Sequence, residues 1–392
     1  MKPHPTNPLL ITTVYYLSFI VLGLVSAAEG PSLPSLARHT ASPLDQISLI
    51  FVSVSLGYLT GSFFSGQAYD RFPGHRLMAI GQAMIGLAAL AIPVVQGLWL
   101  LLFIFFLLGL AKGTIDVGCN TLLLWVHAEK VGPFMNGLHF FFGVGALISP
   151  LILAQALALT GDIHWVFWTC ALLCLPLTVW LWFLPSPTPT AHPVEDGEAA
   201  FPVFPVALLV ILFILYVGLE MGFGNWLYTY AVKLNLADEI SAAYLTSALW
   251  GTFTLGRLLG VWTAARARSQ TILFGDLIGC LASTAVILLW RDSSLALWIG
   301  SLGLGLCMAS IFPTILMLAG ERMRVSGAIT GWFLVGSGAG NMFLPWLIGQ
   351  VFETDPQVMP LIVLADILAF GLVLVYFLTR PVGVAAAKAT SS

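Results

Sequence analysis

The chain has 392 residues, enough for two or three ordinary soluble domains, but 59% are hydrophobic and only 8% are charged. Mean hydropathy is +0.96. A soluble globular chain carries about 25% charged residues to cover its surface, so these proportions exclude a water-coated fold and indicate an integral membrane protein in a lipid bilayer. The 15 basic and 18 acidic residues leave a net charge of −3 with no basic run, which excludes the concentrated footprint of a nucleic-acid binder. Cys119, Cys170, Cys174, Cys280 and Cys307 all lie in apolar stretches and read as small buried hydrophobes, not as disulfides or metal ligands.

Apolar windows of about 20 residues, the length a spanning helix needs, occur twelve times. They cover roughly 9–36, 44–66, 76–96, 98–126, 134–160, 163–184, 204–233, 240–265, 270–290, 294–319, 325–352 and 357–380. The lead-in from Met1 to Pro8 holds one lysine and reads as a cytoplasmic start to the first span, not a removable signal peptide. Residues 185–203 are rich in proline and acids, with Pro185, Pro187, Pro189, Pro193, Glu195, Asp196 and Glu198. They predict a cytoplasmic linker between a six-helix bundle at 1–184 and another at 204–392.

With the first residues inside, Lys2, Arg71, Arg76, Lys130, Arg266, Arg268, Arg322, Arg324, Arg380 and Lys388 fall on the inner face, against Arg38, Lys233 and Arg291 outside. That positive-inside bias places both termini in the cytoplasm, and a bacterial inner membrane is the expected location. The two halves also echo each other. Gly143-Val-Gly145-Ala146 with Pro150 matches Gly336-Ser-Gly338-Ala339 with Pro345. Two parallel six-helix repeats describe an alternating-access transporter with its site between the halves.

Between the second and third windows runs Gly66-Gln-Ala-Tyr-Asp70-Arg71-Phe-Pro-Gly74-His-Arg76. It resembles the G-x-x-x-D-R-x-G-x-R/K loop of the major facilitator superfamily, with one extra residue before the second glycine. Gly66, Asp70, Arg71 and Arg76 are candidates for a conformational latch, since an acid near a helix end suits a neighbouring helix N-terminus or an arginine. The plainer reading is anchoring of the inner face. The matching second-half positions, Ala264 and Ala265, carry no charge.

Five acids fall within predicted spans: Glu29, Asp116, Glu220, Asp276 and Asp366. A charge at mid-bilayer costs roughly 2.5–3.5 kcal/mol on insertion scales, so such groups are paired, neutralised or facing a cavity. Lys112, Asp116 and Asn120 stand at i, i+4 and i+8 on one helix stripe. Asp116 reads either as an acid that loads and unloads a proton or Na⁺, with Lys112 as its charge-compensating switch, or as half of a structural pair with Lys112. Glu29 precedes Gly30-Pro31-Ser-Leu-Pro34, where two prolines are expected to break the first helix beside the acid. Glu220 lies among Gly218, Gly222 and Gly224, close to Asn225 and Trp226. Asn120, His139, Glu220, Asn225, Trp250, Trp332 and Asn341 are the candidate lining residues. Arg257 is a candidate ion partner in the second half, and Asp276 and Asp366 have weaker contexts.

Taken in order, Glu29-Gly-Pro-Ser-Leu-Pro34, Asp116-Val-Gly-Cys-Asn120, Asn136-Gly-Leu-His139, Tyr216-Val-Gly-Leu-Glu220, Gly256-Arg257 and Phe312-Pro313-Thr314 resemble the fucose:proton symporter group of that superfamily and its animal sodium-dependent glucose transporter-like relatives. The resemblance spans residues 9–380. It implies an all-α twelve-helix fold and solute/cation symport, with acids on the first and fourth helices serving coupling and binding, the positions of Glu29 and Asp116. His139 and Phe142 stand where the fucose type has amides, and Lys112 departs from the pattern, as a lysine there can replace a bound cation. The expected protein is thus a monomeric secondary transporter of a small polar solute, a sugar first, coupled to H⁺ or Na⁺ and needing no other cofactor. The alternatives are a proton-driven exporter of amphipathic drugs or lipids, a transport-inactive nutrient sensor, and an intramembrane enzyme using His139 and Asp116. The last lacks a nucleophile elbow or metal-ligand spacing.

Overall fold

The computed structural model describes residues 7–187, 202–323 and 325–380. Most of the proline-rich linker, with Lys2, Arg324 and Lys388, lies outside the described residues. Every regular element within them is helical. Asn7 caps the first helix, accepting from the Leu9 N–H at 3.0 Å, and α1 then runs Pro8–Ala28. The helix stops at Glu29, where Gly30 and Pro31 form a turn, and α2 resumes at Leu33–His39. The two prolines therefore break the first window as expected.

The chain continues through α3 (Leu44–Ile47), α4 (Leu49–Tyr69), α5 (Gly74–Ala91) with a short 3-10 turn to Val94, α6 (Leu98–His127), α7 (Val131–Thr160) and α8 (His164–Phe183). Gly161, at φ +70°, ends α7 in the left-handed region that favours glycine. Beyond the linker come α9 (Val203–Lys233), α10 (Glu239–Ala264), α11 (Ser269–Leu289), α12 (Ser294–Met308), α13 (Ile311–Arg322), α14 (Gly327–Phe352) and α15 (Val358–Thr379). The window at 294–319 is thus two helices, parted at Ala309-Ser310 just before Pro313.

Among the described residues, ten spans are long and apolar enough to cross a membrane. The 26-residue α10 and α14 are not among those ten. Large apolar side chains such as Phe63, Trp99, Leu159 and Phe183 are between 66% and 82% exposed, a surface suited to lipid and not to water. Four cysteines are buried and Cys307 is partly so, all unpaired.

Packing follows one order on each side of the linker. In the first segment α1 packs on α7, α4 on α6 and α5 on α8; in the second α9 packs on α14, α10 on α12 and α11 on α15. Lipid supplies no hydrophobic drive between helices, so close crossings need small residues. The α4–α6 crossing has them as Gly57-x₃-Gly61 against Gly109-x₃-Gly113, and a Cβ on any of the four would run into backbone of the facing helix. Across the linker, α7 packs on α10 and α4 on α14.

The face where α1 begins is here called basal, the opposite one distal. Hydrogen bonds between the two segments occur at Ser247 to the Leu147 carbonyl (2.7 Å), Asn341 to Ser55 (2.8 Å), Gln155 to Tyr244 (2.9 Å), Gln350 to the Asp45 carbonyl (3.1 Å) and to Ser48 (3.3 Å), and the Leu44 N–H to Glu353 (2.8 Å). Arg38 adds an exposed ion pair with Glu239 at 3.7 Å. All lie at mid-height or toward the distal face. Among the described residues none joins the segments at the basal ends, so the polar closure between the segments is distal.

Replacing Gly61 by valine is expected to push α4 off α6 and cost about 1–3 kcal/mol as an overpacked contact. Gly66, one turn and a half further on, faces open space, so Gly66→Ala should be neutral or mildly stabilising. Thermal melts of the purified variants check this, and equal melting temperatures would sink the account of the crossing.

Candidate functional site

Glu29 sits at the break between α1 and α2, only 2% exposed. Two things hold it there. Gly30 lies so close to the Asn225 backbone of α9 that a Cβ would collide with it. Lys112, from the middle of α6, places its Nζ 2.5 Å from Glu29 Oε1. Both partners are buried, so each ion is matched by the other and neither could stay alone at modest cost. This corrects the partner expected for Lys112, since the ammonium goes to Glu29 on another helix and not to Asp116 one turn away on its own. The break in α1 brings Glu29 inward, while i, i+4 neighbours on a helix point along parallel directions and need no contact.

Asp116 is served otherwise. The Tyr58 hydroxyl donates to Asp116 Oδ2, and Asn120 Nδ2 donates to Oδ1 and to the Asp116 carbonyl, both at 2.9 Å. The glycine crossing of α4 and α6 puts Tyr58 within reach. Tyr58 was not among the predicted site residues. Its available signal was position, between Gly57 and Gly61 on the helix that must face the four-spaced glycines around Lys112. Asp116, Asn120 and Tyr58 are partly buried and lie basal to the Ser55–Asn341 contact. Glu29 and Lys112 lie deeper, beneath the distal closure.

The second segment offers a looser set. Glu220 is buried, yet neither it nor Arg257 makes an ion pair among the described residues. Arg257 instead lies over the Phe253 ring, 4.6 Å from its centre. His139 is exposed, with its ring edge-on to Phe19 at 5.8 Å. It stands one turn basal to Gly143, which faces Thr254 of α10. Buried polar atoms here lack partners: Asn225 Nδ2 and Thr229 Oγ1.

The remaining predicted residues fall in different places. Trp250 is buried against Gly224, and Asn341 bridges to the first segment through Ser55. Trp332 is 53% exposed, near the basal start of α14. Asp70 caps the end of α4 and is exposed, and no ion pair holds it among the described residues. Arg71 is exposed, and Arg76 lies over Trp182 at 5.9 Å. Among the described residues no hydrogen bond or ion pair joins Asp70, Arg71 or Arg76 to the second segment. Beside them His75 is fully buried and does knit elements together, with Nε2 2.7 Å from the Tyr15 hydroxyl and Nδ1 3.2 Å from the Leu184 carbonyl. Asp276 accepts from Ser310 at 2.6 Å, in the break between α12 and α13. Asp366 is buried in α15 with Oδ2 unpartnered.

Removing one partner of a buried ion pair costs about 3–5 kcal/mol, because the other charge is stranded. Lys112→Met should therefore lower the melting temperature sharply, and Lys112→Met with Glu29→Gln should recover most of the loss. If the double variant is no more stable than the single one, the two groups are not an energetic unit.

A model of the Major Facilitator Superfamily matches residues 15–345. Sodium-dependent glucose transporter 1A of Mus musculus is 27% identical over 85% of this chain and 88% of its own length. The human sodium-dependent glucose transporter 1 is 27% identical over 85% and 71% of the two chains. The human major facilitator superfamily domain-containing protein 4A is 26% identical over 88% and 86%. Among solved structures, a nucleoside transporter superposes with a TM-score of 0.77 at 14% identity, covering 94% of this chain and 99% of its own. The inward-open xylose transporter XylE of E. coli does so at 0.74 and 13%, covering 92% and 95%. With a family model covering most of its length, and a fold shared nearly end to end with transporters of that kind, this chain is a membrane-spanning member of the Major Facilitator Superfamily.

Proposed function

We propose that the protein is a proton-coupled secondary transporter of a small hydroxylated solute, a sugar first, working by alternating access. The observation that carries the reading is that the polar groups under the distal closure are not spent on one another. Asn225 Nδ2 and Thr229 Oγ1 are buried without partners, and Glu220 and Arg257 form no ion pair among the described residues. Unpaired buried groups cost stability, and a solute's hydroxyls would satisfy them. The relatives named for glucose transport, and the likeness of fold to a xylose transporter, favour sugars as the class to test.

On this reading twelve helices span the bilayer, counting α10 and α14, as a bundle at 1–184 and another at 204–392 joined by the linker at 185–203. The recurring pairing order and the glycine runs support the duplication. Gly145 of α7 faces α1 while Gly143 faces the other segment, and in α14 Gly340 faces α9 while Gly338 faces Leu59 of the other segment. The basal face is cytoplasmic by its excess of arginine and lysine, and the chain functions as a monomer. The animal relatives add no support to a bacterial inner membrane.

The proton is preferred to Na⁺ for two reasons. The Lys112 ammonium already occupies the position beside Glu29 where a bound cation would sit. Both Asp116 oxygens face hydrogen-bond donors, which suits an acid that has released its proton toward the basal opening and repels a metal cation. In the alternating cycle, distal opening separates Gly30 from Asn225 and admits solute and proton. Closure over Glu29 and parting of the basal ends then release both, and Asp70 with Arg71 and Arg76 latch the basal side when it is shut.

In proteoliposomes, a proton gradient acid on the distal side should drive uphill sugar accumulation, and a Na⁺ gradient alone should not. Asp116→Asn should abolish accumulation while sugar counterflow continues. Loss of both activities in a normally folded variant would assign Asp116 a structural role and defeat the proposal.

A further inference from the structure

We propose that the basal face carries a binding site for the phosphate headgroup of an anionic phospholipid, in the cleft between the start of α5 and the end of α8. Arg76, in the first turn of α5, reaches across to Trp182 near the end of α8 and lies over its ring at 5.9 Å. A cleft of about 260 Å³ opens beside this pair, and its lining includes Pro73, Arg76, Trp182, Phe183 and Ser186. Pockets that take a drug-sized solute run to roughly 300–1,000 Å³, so this smaller one suits a headgroup. The site is independent of the transport reading and needs only the membrane-spanning fold.

The polar groups of the cleft are free to bind. At three other basal helix ends an arginine lies over an aromatic ring, and each of those spends its guanidinium on the protein. Arg266 donates to the Trp262 carbonyl at 3.2 Å, Arg322 to the Phe377 and Leu378 carbonyls at 3.0 and 3.2 Å, and Arg380 to the Tyr376 hydroxyl at 2.9 Å. The Arg76 side chain makes no hydrogen bond or ion pair among the described residues. Ser186 Oγ accepts the His75 N–H at 3.0 Å, which leaves its own O–H to donate to a ligand. His75 also holds the Leu184 carbonyl, with Nδ1 at 3.2 Å. The start of α5 is thereby pinned to the chain leaving α8, and the cleft is formed before any ligand arrives.

A guanidinium fork matches phosphate geometry and pairs with two of its oxygens at once. In the connection that carries Arg76, two cations, Arg71 and Arg76, stand against one acid, Asp70, all three exposed, so the rim favours an anion. The rest of the cleft is apolar and faces outward. Phe183 is 78% and Trp182 48% exposed, at the end of a span where an indole sits at headgroup level. A free phosphate ion gains nothing from such a wall, whereas a phospholipid engages the cation and the wall together. Basic pockets between helices on the cytoplasmic side take anionic lipid headgroups in this manner, and the basal face is the one rich in arginine.

Native mass spectrometry of the purified full chain, released from micelles holding equal amounts of phosphatidylglycerol and phosphatidylcholine, tests the site. We expect one phosphatidylglycerol retained per chain in preference to phosphatidylcholine. Phosphatidylglycerol should also raise the melting temperature, and inorganic phosphate should not. Arg76→Gln should weaken retention at least about fivefold, the worth of one basic residue at an anionic surface. Arg76→Lys should restore only part of the loss, because a lysine has no fork. Arg266→Gln, which removes a basal arginine that lines no such cleft, should retain the lipid as the parent does. Should Arg76→Gln melt below the lipid-free parent, Ser186→Ala takes its place, with weaker retention again expected. Equal retention of the two lipids, or retention unchanged in the Arg76 and Ser186 variants, overturns the proposal. An equal gain in melting temperature from inorganic phosphate overturns the assignment to a lipid.

Discussion

A lysine and a glutamate hold each other where neither could remain alone. Glu29 and Lys112 come from different helices, meet at 2.5 Å and are almost wholly buried. Each ion removed from water carries a penalty of several kcal/mol, repaid only when its partner is close. The pair therefore requires that α1 break at residue 29 and that α6 stand close enough to reach it. Once that is met, Lys112 forms its ion pair with Glu29 and not with Asp116, the acid on α6. Asp116 is left with uncharged donors from Tyr58 and Asn120, the environment in which protonation can change without breaking an ion pair.

Much of the fold could be read from the chain. Hydropathy placed helical segments in all twelve windows because the bilayer enforces length and composition together. The prolines after Glu29 predicted a broken helix, and α1 ends at Ala28. Pro313 carried the same signal for the break before α13, but no adjacent membrane-embedded acid drew notice to it. The acid that uses this break, Asp276, comes from α11 and receives the Ser310 hydroxyl.

The site was legible in its members more than in its pairings. Spacing along one helix tells which residues share a face, so Lys112, Asp116 and Asn120 could be grouped, but it is silent about what a neighbouring helix presents to that face. Tyr58 enters only because Gly57 and Gly61 let α4 approach α6 to backbone contact, and Lys112 leaves Asp116 only because the α1 break delivers a better-placed carboxylate. Both choices are made across helices by packing.

The contrast between contacts within a segment and contacts between segments sets what the molecule can do. Within the first segment, α4 and α6 meet backbone to backbone through four glycines, a contact that any sliding of one helix would turn into a clash. Between segments, the distal closure consists mostly of uncharged hydrogen bonds, such as Gln350 to Ser48 and Asn341 to Ser55, each worth about 0.5–1.5 kcal/mol net. The Arg38–Glu239 pair is 59% and 42% exposed and is worth at most about 1 kcal/mol, less in salt. A closure of that strength is broken at modest cost and remade as easily, while the helix crossings stay intact. On the proposed reading, rocking of stiff bodies across this seam is the motion that would bring Glu29 and Lys112 into contact with water.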